Sequence, residues 1–408
     1  MSKILKYRRF IVTPIFLVLI FFTSCTQIEM MKKFKSGKPV YNDKNNIIPF
    51  ALDGHKIYVD VELNGQKKAY KFIVDTGALT MLSLETAYDI GLEMSSEIPT
   101  IKDNQSANLS HVNSIKIGDV AVNDLIVPVM DMNKTFGESA EIYGFIGSDF
   151  LRFYRVQINY KNNELIITKD KVEKNDESGF YTKMDVAFPF RFPEVMLDLD
   201  EYKDIECIID TGSPYPLVLP LDYIDKFSKE TQLSFIKSNG PVVKWPGTTA
   251  DYNYITSIKN LYFGEVCINN VPVLFAELPR MFDKGLIGKS LIENLNITLD
   301  YPESKLTMGS DKNIEFSAHS LETGIGLSTN NGDIIIRGIW ENSPADKRGL
   351  KPGCVIKEVN SVSADQLSLK DIHGFFENDS ITTVRLKFNQ DGKDNNVTIK
   401  KEKMFKTR

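Results

Sequence analysis

The chain has 408 residues, enough for two or three domains. Its 49 basic and 54 acidic side chains leave a formal net charge of −5. That balance excludes the strongly basic face a nucleic-acid binder presents, while a hydrophobic fraction of 42% supports globular cores of ordinary size.

The first element is a targeting segment. Lys3, Lys6, Arg8 and Arg9 precede a largely apolar run over 10–22, broken by Thr13 and Pro14. A short apolar run behind basic residues reads as a signal peptide over 1–25. The run is short for a membrane span. Thr23-Ser24-Cys25 resembles a bacterial lipobox, with Phe22 standing where Leu is usual. That resemblance implies lipidation at Cys25 and an exported, membrane-anchored lipoprotein facing the periplasm or cell surface. Residues 26–47 are polar and Lys-rich and read as a flexible tether. The remaining cysteines, Cys207, Cys267 and Cys354, are odd in number and show no CxxC spacing. They define neither a disulfide scaffold nor a zinc site, and each is expected to be a small buried apolar residue. A Cys207–Cys267 pair stays open at this level.

Short strands then follow. Residues 57–63 alternate apolar and polar, and Asn64-Gly65 is a hairpin turn signal. The apolar run Phe72-Ile73-Val74 leads into Asp75-Thr76-Gly77-Ala78. A hairpin is expected around Gly118, then Phe145-Ile146-Gly147, then a hairpin from Val156 to Ile167 that closes the half. The same order returns after the charged stretch 168–179. Cys207-Ile208-Ile209 leads into Asp210-Thr211-Gly212-Ser213, followed by a hairpin at Gly264, Leu286-Ile287-Gly288, and a closing hairpin through Tyr301. Asp75 and Asp210 lie 135 residues apart, and Gly147 and Gly288 lie 141 apart. Landmarks kept in one order at similar spacing mean an internal repeat, hence two similar β-rich lobes over 48–170 and 180–312.

A lone Asp-Thr-Gly is weak, because Asp and Gly are ordinary turn residues. Two copies, each ending a buried strand, are specific. Two carboxylates in contact cannot both ionise cheaply and so share a proton. The halves resemble retropepsin-like and pepsin-like aspartic proteases over about residues 48 to 312. That resemblance implies a mostly β protein whose two acid-protease-like barrel lobes form a pseudo-dimer. It implies Asp75 and Asp210 as the catalytic dyad, with Thr76, Gly77, Thr211, Gly212 and Ser213 as active-site support. It also implies that Phe145-Ile146-Gly147 and Leu286-Ile287-Gly288 cross behind the catalytic loops. Thr76 and Thr211 would each bond across to the other lobe. Ser213 could hydrogen-bond Asp210, whereas Ala78 cannot do so for Asp75, so the carboxylates would be inequivalent. A flap is expected within 240–249, with Trp245 covering substrate or serving as a buried surface-loop residue. The matching interval 100–111 of the first half is polar and offers no flap residue.

A third unit over 314–402 resembles a PDZ domain through Asn342-Ser343-Pro344-Ala345 and Gly349-Leu350-Lys351-Pro352-Gly353-Cys354. Cys354 stands where Asp is common. The resemblance implies a small α+β domain with a carboxylate-binding loop at Gly324, Ile325, Gly326 and Leu327 and a groove helix over 371–378. Its ligand would be an extended or C-terminal peptide segment.

Other chemistries fit poorly. The four His residues fall in no ligand spacing, and no GxSxG occurs. The run Gly285 to Ser290 superficially suggests a phosphate loop, but Asp283 stands where its first Gly is needed. The expected function is therefore an exported, lipid-anchored aspartic endopeptidase acting on protein or peptide substrates without metal or cofactor and without a nucleic-acid partner. The rival expectation is an inactive peptide- or protein-binding lipoprotein on the same fold.

Overall fold

The structure, a computed structural model, describes residues 35–41, 46–94, 96–99, 106–133, 142–169, 179–186, 188–230, 233–245, 247–279, 282–309, 313–316 and 322–404. The signal peptide, Cys25, most of the tether and 170–178 of the charged linker lie outside the described residues.

The alternation read around residue 60 produces a strand with one buried face. Lys56–Leu63 buries every second side chain, and Pro193–Leu199 does the same in the second half. Each of these strands begins a closed six-stranded ring. In the first lobe the ring runs Lys56–Leu63, Ala69–Val74, Gly144–Ile146, Met81–Ser83, Val120–Met130 and Ser106–Ile117, and then returns to its start. In the second it runs Pro193–Leu199, Tyr202–Asp210, Gly285–Gly288, Leu217–Pro220, Val266–Ala276 and Tyr254–Phe263 before closing. The sequence of antiparallel and parallel pairs is the same in both rings. The repeat read from residue spacing is thus a repeat of topology, and closure removes the sheet edges that an open sheet would expose.

The lobes meet in a six-stranded antiparallel sheet. Its order is Phe180–Lys183, Lys305–Met308, Thr298–Asp300, Arg155–Asn159, Glu164–Thr168 and Asn46–Pro49. The seam is the pair Arg155–Asn159 with Thr298–Asp300, one strand from each lobe. Val156, Ile158, Leu165, Ile167, Leu299 and Leu306 on this sheet are fully buried. Each such side chain contributes about 1.5–3 kcal/mol by leaving water, so the seam is a shared core and not a loose contact.

The third unit is α+β. Ile325–Asn330, Asp333–Trp340, Val355–Val359, Thr383–Gln390 and Lys393–Lys400 form its sheet. The helix Leu369–Glu377 packs Ile372 and Phe376 into its core. Ser368 and Asp371 form a reciprocal capping box, which starts that helix two residues before the expected position. The expected boundary at 314 also shifts. Asn313–Glu315 pairs in parallel with Cys267–Asn269, and Asn269 donates to the Glu315 carboxylate at 2.8 Å. These residues are an edge strand of the second lobe. Cys207, Cys267 and Cys354 are all free thiols, the first and last buried and Cys267 half-buried.

Candidate active site

Both Asp-Thr-Gly loops leave the ends of buried strands. Ile73 and Val74 are buried in Ala69–Val74, and Ile208 and Ile209 in Tyr202–Asp210. Behind each loop crosses the apolar strand that ends in Gly147 or Gly288. The Asp75 N–H donates to the Ile146 carbonyl at 2.9 Å. Ser148 N–H donates to the Ala78 carbonyl at 2.9 Å, and Lys289 N–H to the Ser213 carbonyl at 2.8 Å. The approach is so close that a Cβ on Gly147 or Gly288 would run into the backbone carbonyl of Ala78 or Tyr215. Only glycine fits there.

The two threonines join the loops across the lobes. Thr76 N–H donates to the Thr211 hydroxyl at 3.1 Å, and Thr211 N–H to the Thr76 hydroxyl at 3.1 Å. Each hydroxyl then donates to a carbonyl of the opposite strand, Thr76 to Ile209 at 2.6 Å and Thr211 to Val74 at 3.0 Å. Both threonines are fully buried, so the four bonds form away from water.

This network brings Asp75 and Asp210 side by side, each carboxyl lying against the glycine that follows the other. Each carboxylate accepts the N–H two residues on: Gly77 to Asp75 and Gly212 to Asp210, both at 2.9 Å. A Cβ on Gly77 would lie 2.6 Å from Asp210 Cγ, and one on Gly212 would strike Asp75 Oδ2. The glycines therefore set how near the carboxylates come. Burial, followed by the charge and hydrogen bond of Asp210, pushes Asp75 well above the usual carboxylate range. Burial also raises Asp210, but the bond from Asp75 and the amides of Gly212 and Ser213 oppose it. Two buried carboxylates in contact share a proton, and their raised titration belongs to the pair. A pair in that state can accept a proton at one carboxyl while donating one from the other.

Two expected features differ from the geometry. The Ser213 hydroxyl is buried and makes no hydrogen bond among the described residues; its backbone N–H, not its side chain, serves the loop. The inequivalence of the carboxylates therefore arises from their mutual bond and the local amides. In addition, the first lobe carries Asp149, which sequence reasoning passed over. It is 3% exposed and accepts the N–H groups of Thr80 at 2.7 Å and Phe150 at 3.0 Å, tying the crossing strand to the turn beyond Ala78. Its signal was a charged residue two positions after an apolar-Gly run.

Apolar side chains surround the loops. Ile73 and Phe145 cluster with Met132 and Ile142 in the first lobe. In the second, Ile208 and Leu286 cluster with Phe192, Tyr215 and Trp245. Trp245 is half-buried, its ring centroid 6.5 Å from that of Tyr215, three residues past Gly212. The segment 240–249 thus reaches the neighbourhood of the second loop. In the first lobe, 100–105 lie outside the described residues.

Gly324, Ile325, Gly326 and Leu327 open the first strand of the third unit. Gly324 adopts φ +83, and its carbonyl accepts Trp340 N–H at 3.0 Å. Ile325 and Leu327 are buried in that unit's core. Gly326 faces the second lobe, where a Cβ would lie 2.5 Å from the Val242 carbonyl oxygen.

A family model described as aspartyl protease matches residues 59–150. The match spans the first ring from Lys56–Leu63 to the crossing strand and includes Asp75, so the first lobe is similar to that family's domain. No curated protein matches the chain.

Proposed function

We propose that the chain is an aspartic endopeptidase whose dyad is Asp75 and Asp210. The observation that supports this most is the reciprocal Thr76–Thr211 network, which holds two carboxyls from repeated lobes side by side. In this reading a water held by both carboxyls attacks a peptide carbonyl. One carboxyl takes the water's proton while the other protonates the carbonyl oxygen, giving a tetrahedral diol. Proton return to the amine then breaks the C–N bond. The Gly77 and Gly212 amides steady whichever carboxylate is charged.

In the same reading Cys25 carries a lipid and holds the enzyme at a bacterial membrane, facing the periplasm or cell surface. The third unit is a PDZ domain that takes an extended or C-terminal peptide by strand addition beside Ile325–Asn330. The test is a diverse peptide library incubated across pH with wild type, Asp75→Asn and Asp210→Asn, read by mass spectrometry. Cleavage by wild type alone supports the dyad; cleavage by either variant at wild-type rate removes it. Lipid labelling of wild type but not of Cys25→Ala tests the anchor.

A further inference from the structure

The segment beside the second Asp-Thr-Gly loop is held by the third unit as well as by its own lobe. Ile236–Asn239 begins in the second barrel, pairing Ile236 with Ile255 and Lys237 with Tyr254. It then also pairs with the third unit, Ser238 with Trp340 and Asn239 with Ile339, while the Ser238 N–H still donates to the Asn253 carbonyl of its own lobe at 3.0 Å. Gly240 turns at φ +72, where a side chain would strike the Arg337 carbonyl. Beyond the turn, Arg337 Nε donates to the Pro241 carbonyl at 2.8 Å and Nη2 to the Val242 carbonyl at 2.6 Å. The backbone of 240–242 passes directly over two residues without side chains. A Cβ on Gly338 would lie 2.5 Å from the Gly240 carbonyl oxygen, and one on Gly326 would lie 2.5 Å from that of Val242. From the lobe side, Asn253 Oδ1 accepts Val243 N–H at 2.9 Å. Trp245 follows, against Tyr215.

The first lobe is built differently. There Ser96–Pro99 stays paired with Ser106–Ile117 over four residue pairs, within one lobe. The second lobe has exchanged part of that pairing for a grip by another unit.

We propose that Arg337 is a positioning residue for the cleft: through the carbonyls of Pro241 and Val242 it sets where Trp245 stands beside the second Asp-Thr-Gly loop, so the third unit governs how tightly substrate is held. Backbone carbonyls are its acceptors, and two N–H donors on one rigid guanidinium fix both the height and the direction of the segment. The strand that would receive a peptide in the PDZ reading, Ile325–Asn330, is also the strand whose Gly326 bears on Val242. Occupation of that strand is thereby coupled to the cleft.

This inference rests on the protease reading, but it can be read without catalysis. The chain has two tryptophans, and Trp340 is 6% exposed, so acrylamide quenching reports chiefly on half-buried Trp245. Arg337→Met removes both donors and keeps the stem. Gly338→Ala pushes on the Gly240 carbonyl from the same strand. Both should increase quenching, and both should raise KM for short peptides about three- to tenfold with kcat within about twofold, because uniform binding is lost and the dyad is untouched. Arg337→Lys should restore part of both effects. Unchanged quenching and unchanged KM in Arg337→Met would overturn the proposal. A fall in kcat and melting temperature with no change in KM or quenching would make Arg337 a structural tie only, and would overturn it equally. Should wild type cleave no peptide, the protease reading fails, while the quenching comparison still decides whether Arg337 holds Trp245.

Discussion

Thr76 and Thr211 each give a backbone N–H to the other's hydroxyl at 3.1 Å, so neither lobe can set its Asp-Thr-Gly loop alone. Thr76→Val keeps the shape and removes the hydroxyl. It orphans the Thr211 N–H and the Ile209 carbonyl, both buried, at a cost of about 1–3 kcal/mol each. Urea unfolding should therefore show a loss of roughly 2–6 kcal/mol. Peptide turnover should fall with it. Thr211→Val should behave alike; equal stability of either variant and wild type would remove the network from the account.

Asp75→Asn should lose activity by roughly 10²–10⁴-fold, the usual weight of acid–base catalysis, and yet be more stable at neutral pH than wild type. The folded-state value of Asp75 is raised above the ordinary 3.8, so folded protein keeps a proton that the unfolded chain has released. That contribution is complete below 3.8 and is lost as pH rises from there toward the folded value. The asparagine removes the loss. Thermal melting from pH 3 to pH 8 should thus fall more steeply for wild type. Parallel curves for the two proteins would contradict the burial argument.

Turnover should follow a bell in pH, with its acid limb set by ionisation of the pair's first carboxyl and its alkaline limb by loss of the pair's remaining proton. Because Asp75 is raised well above its usual range, the alkaline limb should lie above ordinary carboxylate titration. A profile still rising at pH 9 would point to a different general acid.

Gly212→Ala places a Cβ against Asp75 Oδ2 and should separate the carboxyls. The expected result is loss of activity with a well-folded protein, and a pH–stability curve flatter than wild type because the two charges no longer meet. Retained turnover would show that the contact is not needed.

A chain ending after Phe316 keeps both barrels, the seam and the edge strand Asn313–Glu315. It removes the partner of Ser238 and Asn239, and Arg337 with it. It should fold and cleave short peptides with raised KM. An insoluble product would mean that the third unit is part of the lobes' core.

The fold was legible where local pattern and tertiary role coincide. A strand with one buried face must alternate, as 57–63 does, and a loop crossed by another chain must carry glycine, as Gly147 and Gly288 do. Both requirements fall on side-chain identity, so both leave a trace in the residues, and the repeated trace located both Asp-Thr-Gly loops. The grip of the third unit leaves almost none. Its acceptors are the carbonyls of Pro241 and Val242, which every residue possesses, and its surface is the absence of side chains at Gly326 and Gly338. In the sequence Gly326 reads as part of a ligand loop, because a glycine that admits a peptide and one that admits a neighbouring strand look alike. Asn313–Glu315 was misplaced for a related reason: three residues carry too little periodicity to say which sheet they will join.

The seam between Arg155–Asn159 and Thr298–Asp300 joins two halves already linked by one backbone. Dilution therefore cannot take the paired carboxyls apart, as it would in a dimer of separate chains. Every substitution is also felt once rather than twice. Ala78 can stand opposite Ser213, and one half can surrender a hairpin arm to a neighbour while its twin keeps its own. A two-fold assembly of identical chains has no means of telling its left hand from its right; this one does, and the different surroundings of Asp75 and Asp210 record the difference.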